Sequence, residues 1–166
     1  TIEPAAFEEL VKELEPATAA GLRGMSAMKH KNAERAADEL VRALGMAHTT
    51  PWLNLHVLER VLQLVVELAN ERPDLAERLY GAVKTPFLLS PMERERSIAS
   101  LRLAMLLKSD ACAEVFESMR GPPPWEEEYL LAQRDCFKRT RPAKLAAAEA
   151  EYDRLQKMAP TPLGGR

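Results

Sequence analysis

The chain has 166 residues, 46% of them hydrophobic and 29% charged, with 23 Lys plus Arg against 25 Asp plus Glu and a formal net charge of -2. That length fits one compact domain or one short repeat array, and a text of 5% aromatics and seven glycines, rich in Ala, Leu, Glu and Arg, argues for helix and against a sheet-rich barrel or sandwich. The balanced charge argues against nucleic acid as a partner, because that binding needs a surplus of Lys and Arg to displace condensed counterions.

Proline punctuates the chain. A short helix near 4–14 comes first. Pro16, Pro51, Pro73, Pro91, Pro124 and Pro142 then stand ahead of helix-period runs, where the missing N–H costs nothing and the fixed φ helps the first turn. The runs fall at 17–29, 32–47, 51–71, 73–84, 91–107, 109–120, 124–140 and 142–158. Asn32, Thr50, Ser90 and Ser109 or Asp110 are candidate caps. Short connections make neighbours antiparallel.

The runs differ in character. Residues 51–71 carry one apolar stripe at Leu55, Leu58, Leu62, Val65 and Ala69 and a second at Val57, Val61, Leu64 and Leu68, so this helix buries two sides. Leu75, Leu79 and Ala82 with Val83, then Ala33, Ala36, Leu40, Ala43 and Leu44, and finally Leu145, Ala148, Tyr152 and Leu155 form single stripes. Even the most apolar stretch, Leu53 to Ala69, is interrupted by Asn54, His56, Glu59, Arg60 and Glu67 and is no membrane span. The proline spacings of 35 (Pro16 to Pro51), 40 (Pro51 to Pro91) and 33 (Pro91 to Pro124) define a helical pair of about 36 residues, in the range of solenoid repeats. Such pairs cover their apolar faces only by stacking.

At these positions the chain resembles the tetratricopeptide repeat (TPR). Counting from Ala17, Gly24 falls on the family's first-helix glycine, and Ala36, Leu40 and Ala43 on its small, large, small second-helix series. Counting from Met92, Ala99, Ala111, Val115 and Ser118 take the same offsets. The second unit fits with about four residues inserted before Leu75, and the fourth offers Ala132, with Ala148, Tyr152, Leu155 and Pro160 arriving late. The family's first-helix Trp and Tyr are not matched. The resemblance implies an all-α fold, a right-handed α-solenoid of about four antiparallel pairs over residues 16–160, between an N-terminal helix or extension at 1–15 and a disordered tail at 161–166. The alternative architecture is an irregular helical bundle with no open groove.

The resemblance also implies a concave surface lined by the second, fifth, ninth and twelfth residues of each unit: Thr18, Gly21, Met25 and Met28; Leu53, His56, Arg60 and Gln63; Glu93, Arg96, Ser100 and Leu103; Glu126, Tyr129, Gln133 and Cys136. Of these, Met25, Met28, His56, Arg60, Gln63, Arg96, Ser100, Tyr129 and Gln133 are the candidate partner-binding residues, their thioethers and donors suited to an extended peptide or partner helix. The Asn and Lys set that clamps a C-terminal carboxylate in some family members is absent from these positions.

Chemistry of its own is not expected. His30, His48 and His56 lack metal-ligand spacing, and no nucleophile elbow or Gly-rich phosphate loop occurs. No catalytic residue, metal or cofactor is assigned. Cys112 and Cys136, the only cysteines, read as two reduced, ordinary thiols, favouring a reducing compartment such as the cytoplasm. Gly121-Pro122-Pro123-Pro124-Trp125 reads as a junction between pairs, and Lys138, Arg139, Arg141 and Lys144 as local surface pairing. The expectation is a non-catalytic scaffold that binds a protein or peptide, or another domain of its parent chain, with no direct membrane insertion. The start at Thr1 keeps open a rival: a helical accessory or regulatory domain excised from a larger enzyme or membrane protein and serving assembly.

Overall fold

A computed structural model describes residues 3–50, 54–88, 90–107, 109–119 and 127–158. The described residues form helices and turns and no strand: α1 (Pro4–Lys12), α2 (Pro16–Lys29), α3 (Ala33–Ala47), α4 (Leu55–Glu71), α5 (Ala76–Val83), α6 (Glu93–Leu106), α7 (Ala111–Ser118), α8 (Glu127–Thr140) and α9 (Pro142–Met158). The protein is all-α, and the helices coincide with the predicted runs to within a few residues. Pro51, Leu53, the Gly121–Trp125 junction, Glu126 and the 161–166 tail lie outside the described residues.

Local chemistry sets the helix ends. Pro16 and Pro142 open α2 and α9, and Pro73 opens a 3-10 turn, Pro73–Leu75, that leads into α5. Asn32 caps α3 by accepting from the Arg35 N–H at 3.2 Å. The cap of α4 is Asn54, whose side chain accepts from the N–H groups of His56 and Val57; this corrects the expectation of Thr50, because the helix starts at Leu55. The Glu15 carboxylate caps α2 by accepting from Ala17 and Thr18, which also places a negative charge at the positive end of the helix dipole. Between α2 and α3, Lys31 adopts a left-handed φ of 56° and the Asn32 N–H reaches back to the Ala27 carbonyl at 3.0 Å. This Schellman-type closure reverses the chain within three residues.

The chain divides into two compact units, Thr1–Leu107 and Lys108–Arg166. In the first, α2 packs on α3, α4 on both, α5 on α3 and α4, and α6 on α4 and α5. The main contacts in this unit join helices one or two places apart in the chain. α4 is buried on two sides, through Leu58, Leu62, Val65 and Ala69 and through Val61, Leu64 and Leu68, as its double stripe requires; Leu55, predicted to belong to the first stripe, is exposed. The two glycines of α2 face different neighbours. A Cβ on Gly21 would lie 2.7 Å from Val57 Cγ1 of α4, and one on Gly24 would lie 2.7 Å from Leu40 Cδ2 of α3, so α2 approaches both helices at distances that exclude a side chain. At the surface, Arg72 bonds Glu34 and Asp74 at 2.9 and 2.6 Å and Arg78 pairs with Asp38.

In the second unit α8 packs on α7 and α9 around Phe116, whose ring meets Tyr129 and Phe137 edge-on at 5.2 and 5.6 Å. A disulfide joins Cys112 of α7 to Cys136 of α8 across 24 residues, with Cα atoms 6.1 Å apart. The reading of two reduced thiols is corrected: each cysteine sits on the inward stripe of its helix, and packing the two helices brings those stripes together.

Candidate functional site

The nine candidate partner-binding residues divide by their surroundings. His56, Arg60 and Gln63 are exposed along one edge of α4. Arg60 Nη1 donates to Gln63 Oε1 at 3.0 Å and to Glu67 Oε1 at 2.9 Å, and Nη2 to Glu67 Oε2 at 3.4 Å, so i+3 and i+7 partners hold the exposed guanidinium along its own helix. Exposed pairs of this kind are worth little to the fold. They can be exchanged for a ligand carboxylate or carbonyl at small cost.

Arg96 behaves differently. It is 7% exposed, and its guanidinium donates to the carbonyls of Val83 at 2.8 Å and Lys84 at 3.1 Å, at the end of α5, while Glu93 Oε2 accepts from Nε at 2.8 Å. Its work is to satisfy the last carbonyls of the preceding helix. Ser100 is 2% exposed and Tyr129 7%. The Tyr129 hydroxyl donates to Met119 Sδ at 3.2 Å, and burial, with the nearby Glu151 charge, pushes its ionisation up to about 12. Arg96, Ser100 and Tyr129 are therefore committed to packing, and the first two lie inside the unit whose surface they were expected to line. Thr18 and Gly21 are buried as well. Replacing Arg96 by Met, which keeps the stem and removes the donors, is expected to destabilise the first unit by roughly 2 kcal/mol, read by urea denaturation; an unchanged midpoint would show that the α5 carbonyls find other partners.

Met28 is half-buried and packs on the core cluster. Met25 packs there too, and it also lines a groove bounded by α1, α2 and the start of α3, about 680 Å³ in volume. Gln133, in the second unit, is half-buried, with Oε1 enclosed and unbonded among the described residues. The sequence pattern missed the α1–α2 groove. Its signal was present in the acidic, amphipathic text of 7–14 just ahead of a helix whose Leu22 and Met25 fall outside the Gly21 and Gly24 contact faces.

The electrostatic perturbations are structural. The Lys144 ammonium and the Arg141 guanidinium hold the Glu117 carboxyl below the usual range, tying α7 to the start of α9, and Arg72 does the same to Asp74. Among the described residues no three His, Cys, Asp or Glu side chains are grouped to hold a metal ion, and no helix is long and apolar enough to cross a membrane. Comparison with protein families, curated proteins and solved structures finds no match to this chain.

Proposed function

We propose that the protein is a non-catalytic interaction scaffold, a TPR-like stack of two-helix hairpins that binds a peptide or helix of another protein. The packing order carries the reading: α2 and α3, then α4 and α5, then α6, each packing chiefly on helices one or two places away in the chain, is what stacked hairpins produce when no pair can cover its own apolar faces. The fit of Gly24 against Leu40 supports the TPR-like register, since these are the small and large positions whose contact sets that family's helix crossing. The exposed edge of α4, with His56, Arg60 and Gln63, is the contact surface. The Cys112–Cys136 bond favours an oxidising compartment as the setting.

The test places a photo-crosslinking side chain at position 63 and, as control, at exposed position 154. A partner captured at 63 alone is then titrated against the purified chain. Arg60→Glu is expected to weaken that binding about tenfold while circular dichroism stays unchanged, because an exposed pair contributes less than about 1 kcal/mol to stability. Equal affinity of the Arg60→Glu protein would defeat the α4 assignment.

A further inference from the structure

The groove between α1, α2 and the start of α3 lies apart from the α4 edge and has a different character. Its volume of about 680 Å³ falls in the range of ligand clefts, roughly 300–1,000 Å³. Phe7, Leu22 and Met25 give it an apolar floor, and Arg23, Lys29 and Arg35 stand on its rim, with Glu8 the one carboxylate in the lining. That carboxylate shows what the rim accepts: Glu8 receives a hydrogen bond from Arg23 Nε at 2.9 Å and pairs with Arg35 at 3.7 Å. It arrives on α1, an amphipathic helix with Phe7, Leu10 and Val11 set among Glu8, Glu9 and Lys12.

Yet α1 occupies only part of the face. Val11 is buried at 2% exposure, whereas Leu10 is 62% exposed, and one carboxylate is shared between two arginines with Lys29 left exposed beside them. Three permanent cations against one carboxylate, above an open apolar floor, complement one chemistry: a helix with an apolar stripe flanked by Asp or Glu.

We propose that this groove is a docking site for an acidic amphipathic helix of a partner protein, seated on Phe7, Leu22 and Met25 with its carboxylates directed to Arg23, Lys29 and Arg35. Glu8 is the resident competitor for the arginines, and removing it frees two guanidinium groups for the incoming carboxylates.

The probe is a fluorescent helix-forming peptide with leucine at i, i+3, i+4 and i+7 and glutamate elsewhere, titrated against the full chain alongside its lysine-for-glutamate counterpart. The acidic peptide is expected to bind and the basic one to fail. Lys29→Glu should weaken binding about tenfold, Glu8→Ala should tighten it several-fold, and Arg60→Glu should leave it unchanged, which separates this groove from the α4 surface. Circular dichroism of each variant establishes that the helices persist. Tightening on Glu8→Ala is a gain that general loss of structure cannot mimic. Equal binding of both peptides, binding of neither, or indifference to Lys29→Glu would overturn the proposal. So would tighter binding of oleate at the same site, which would assign the groove to a small amphiphile, or concentration-dependent dimerisation of the Glu8→Ala protein, which would assign it to α1 of a second copy.

Discussion

Replacing Cys112 and Cys136 together by alanine is expected to lower the stability of the second unit by about 3.5 kcal/mol. The disulfide closes a loop of 24 residues, and the chain-entropy relation for a loop of that size gives about 3.5 kcal/mol lost from the unfolded ensemble on cross-linking. The unit has little else to offset such a loss. Among the described residues its buried side chains are few, Ala111, Cys112, Ala113 and Val115 on α7 and Tyr129, Leu130, Cys136 and Phe137 on α8, with Ala148 on α9. A core this small supplies only a few kcal/mol of net stability. Without the bond, α7, eight residues long, is held by half-buried Phe116 and by the surface pairs of Glu117 with Lys144 and of Asp110 with Arg141, which are individually weak. Thermal circular dichroism of the wild type with and without a phosphine reductant, beside the double alanine variant, reads the effect. The reduced protein and the variant should share an early loss of helical signal, whereas the first unit, which holds no cysteine, should melt as before. Identical melting of the oxidised, reduced and variant proteins would show that helix packing alone holds the unit.

The disulfide also marks where sequence reading stops. Proline positions and apolar periods placed every described helix, because Pro16, Pro73 and Pro142 act locally, through their own φ and missing N–H, and because the double stripe of α4 is a property of one segment. The cysteines are different: 24 residues of text say nothing about whether two inward stripes will face each other. The burial of Arg96, Ser100 and Tyr129 escaped the sequence for a related reason. Positional inference from the repeat register assumes that the second, fifth, ninth and twelfth residues of each unit face solvent, but α5 ends with carbonyls that need donors, and Arg96, a fifth residue, turns inward to supply them. Arg60, with only its own helix for partners, stays outside. The groove beside α2 escaped because the repeat frame begins at Pro16 and leaves the short helix near 4–14 outside it. The acidic face of that helix acquires meaning only beside Arg23 and Arg35, one of them a full helix away in sequence.

The α2–α3 crossing gives the sharpest test of the architecture. Leu40→Ala is expected to destabilise the first unit by about 3 kcal/mol, since Leu40 is fully buried and the loss combines transfer with a residual cavity. Gly24→Ala in the wild-type background should cost about 1 kcal/mol. Its Cβ would sit 2.7 Å from Leu40 Cδ2 and 2.9 Å from Cγ, an overpacking of roughly 2 kcal/mol partly offset by the gain of about 1 kcal/mol when alanine replaces a mid-helix glycine. The order of effects reverses when Leu40 is already alanine. The clash is gone, the new methyl group occupies part of the vacated space, and the helix-propensity gain stands alone, so Gly24→Ala becomes stabilising by about 1 kcal/mol. The coupling in a double-mutant cycle is therefore about 2 kcal/mol, measured by urea denaturation of the four proteins. Additive effects would mean that this glycine does not set the distance between α2 and α3, and the close crossing of the two helices would need another cause.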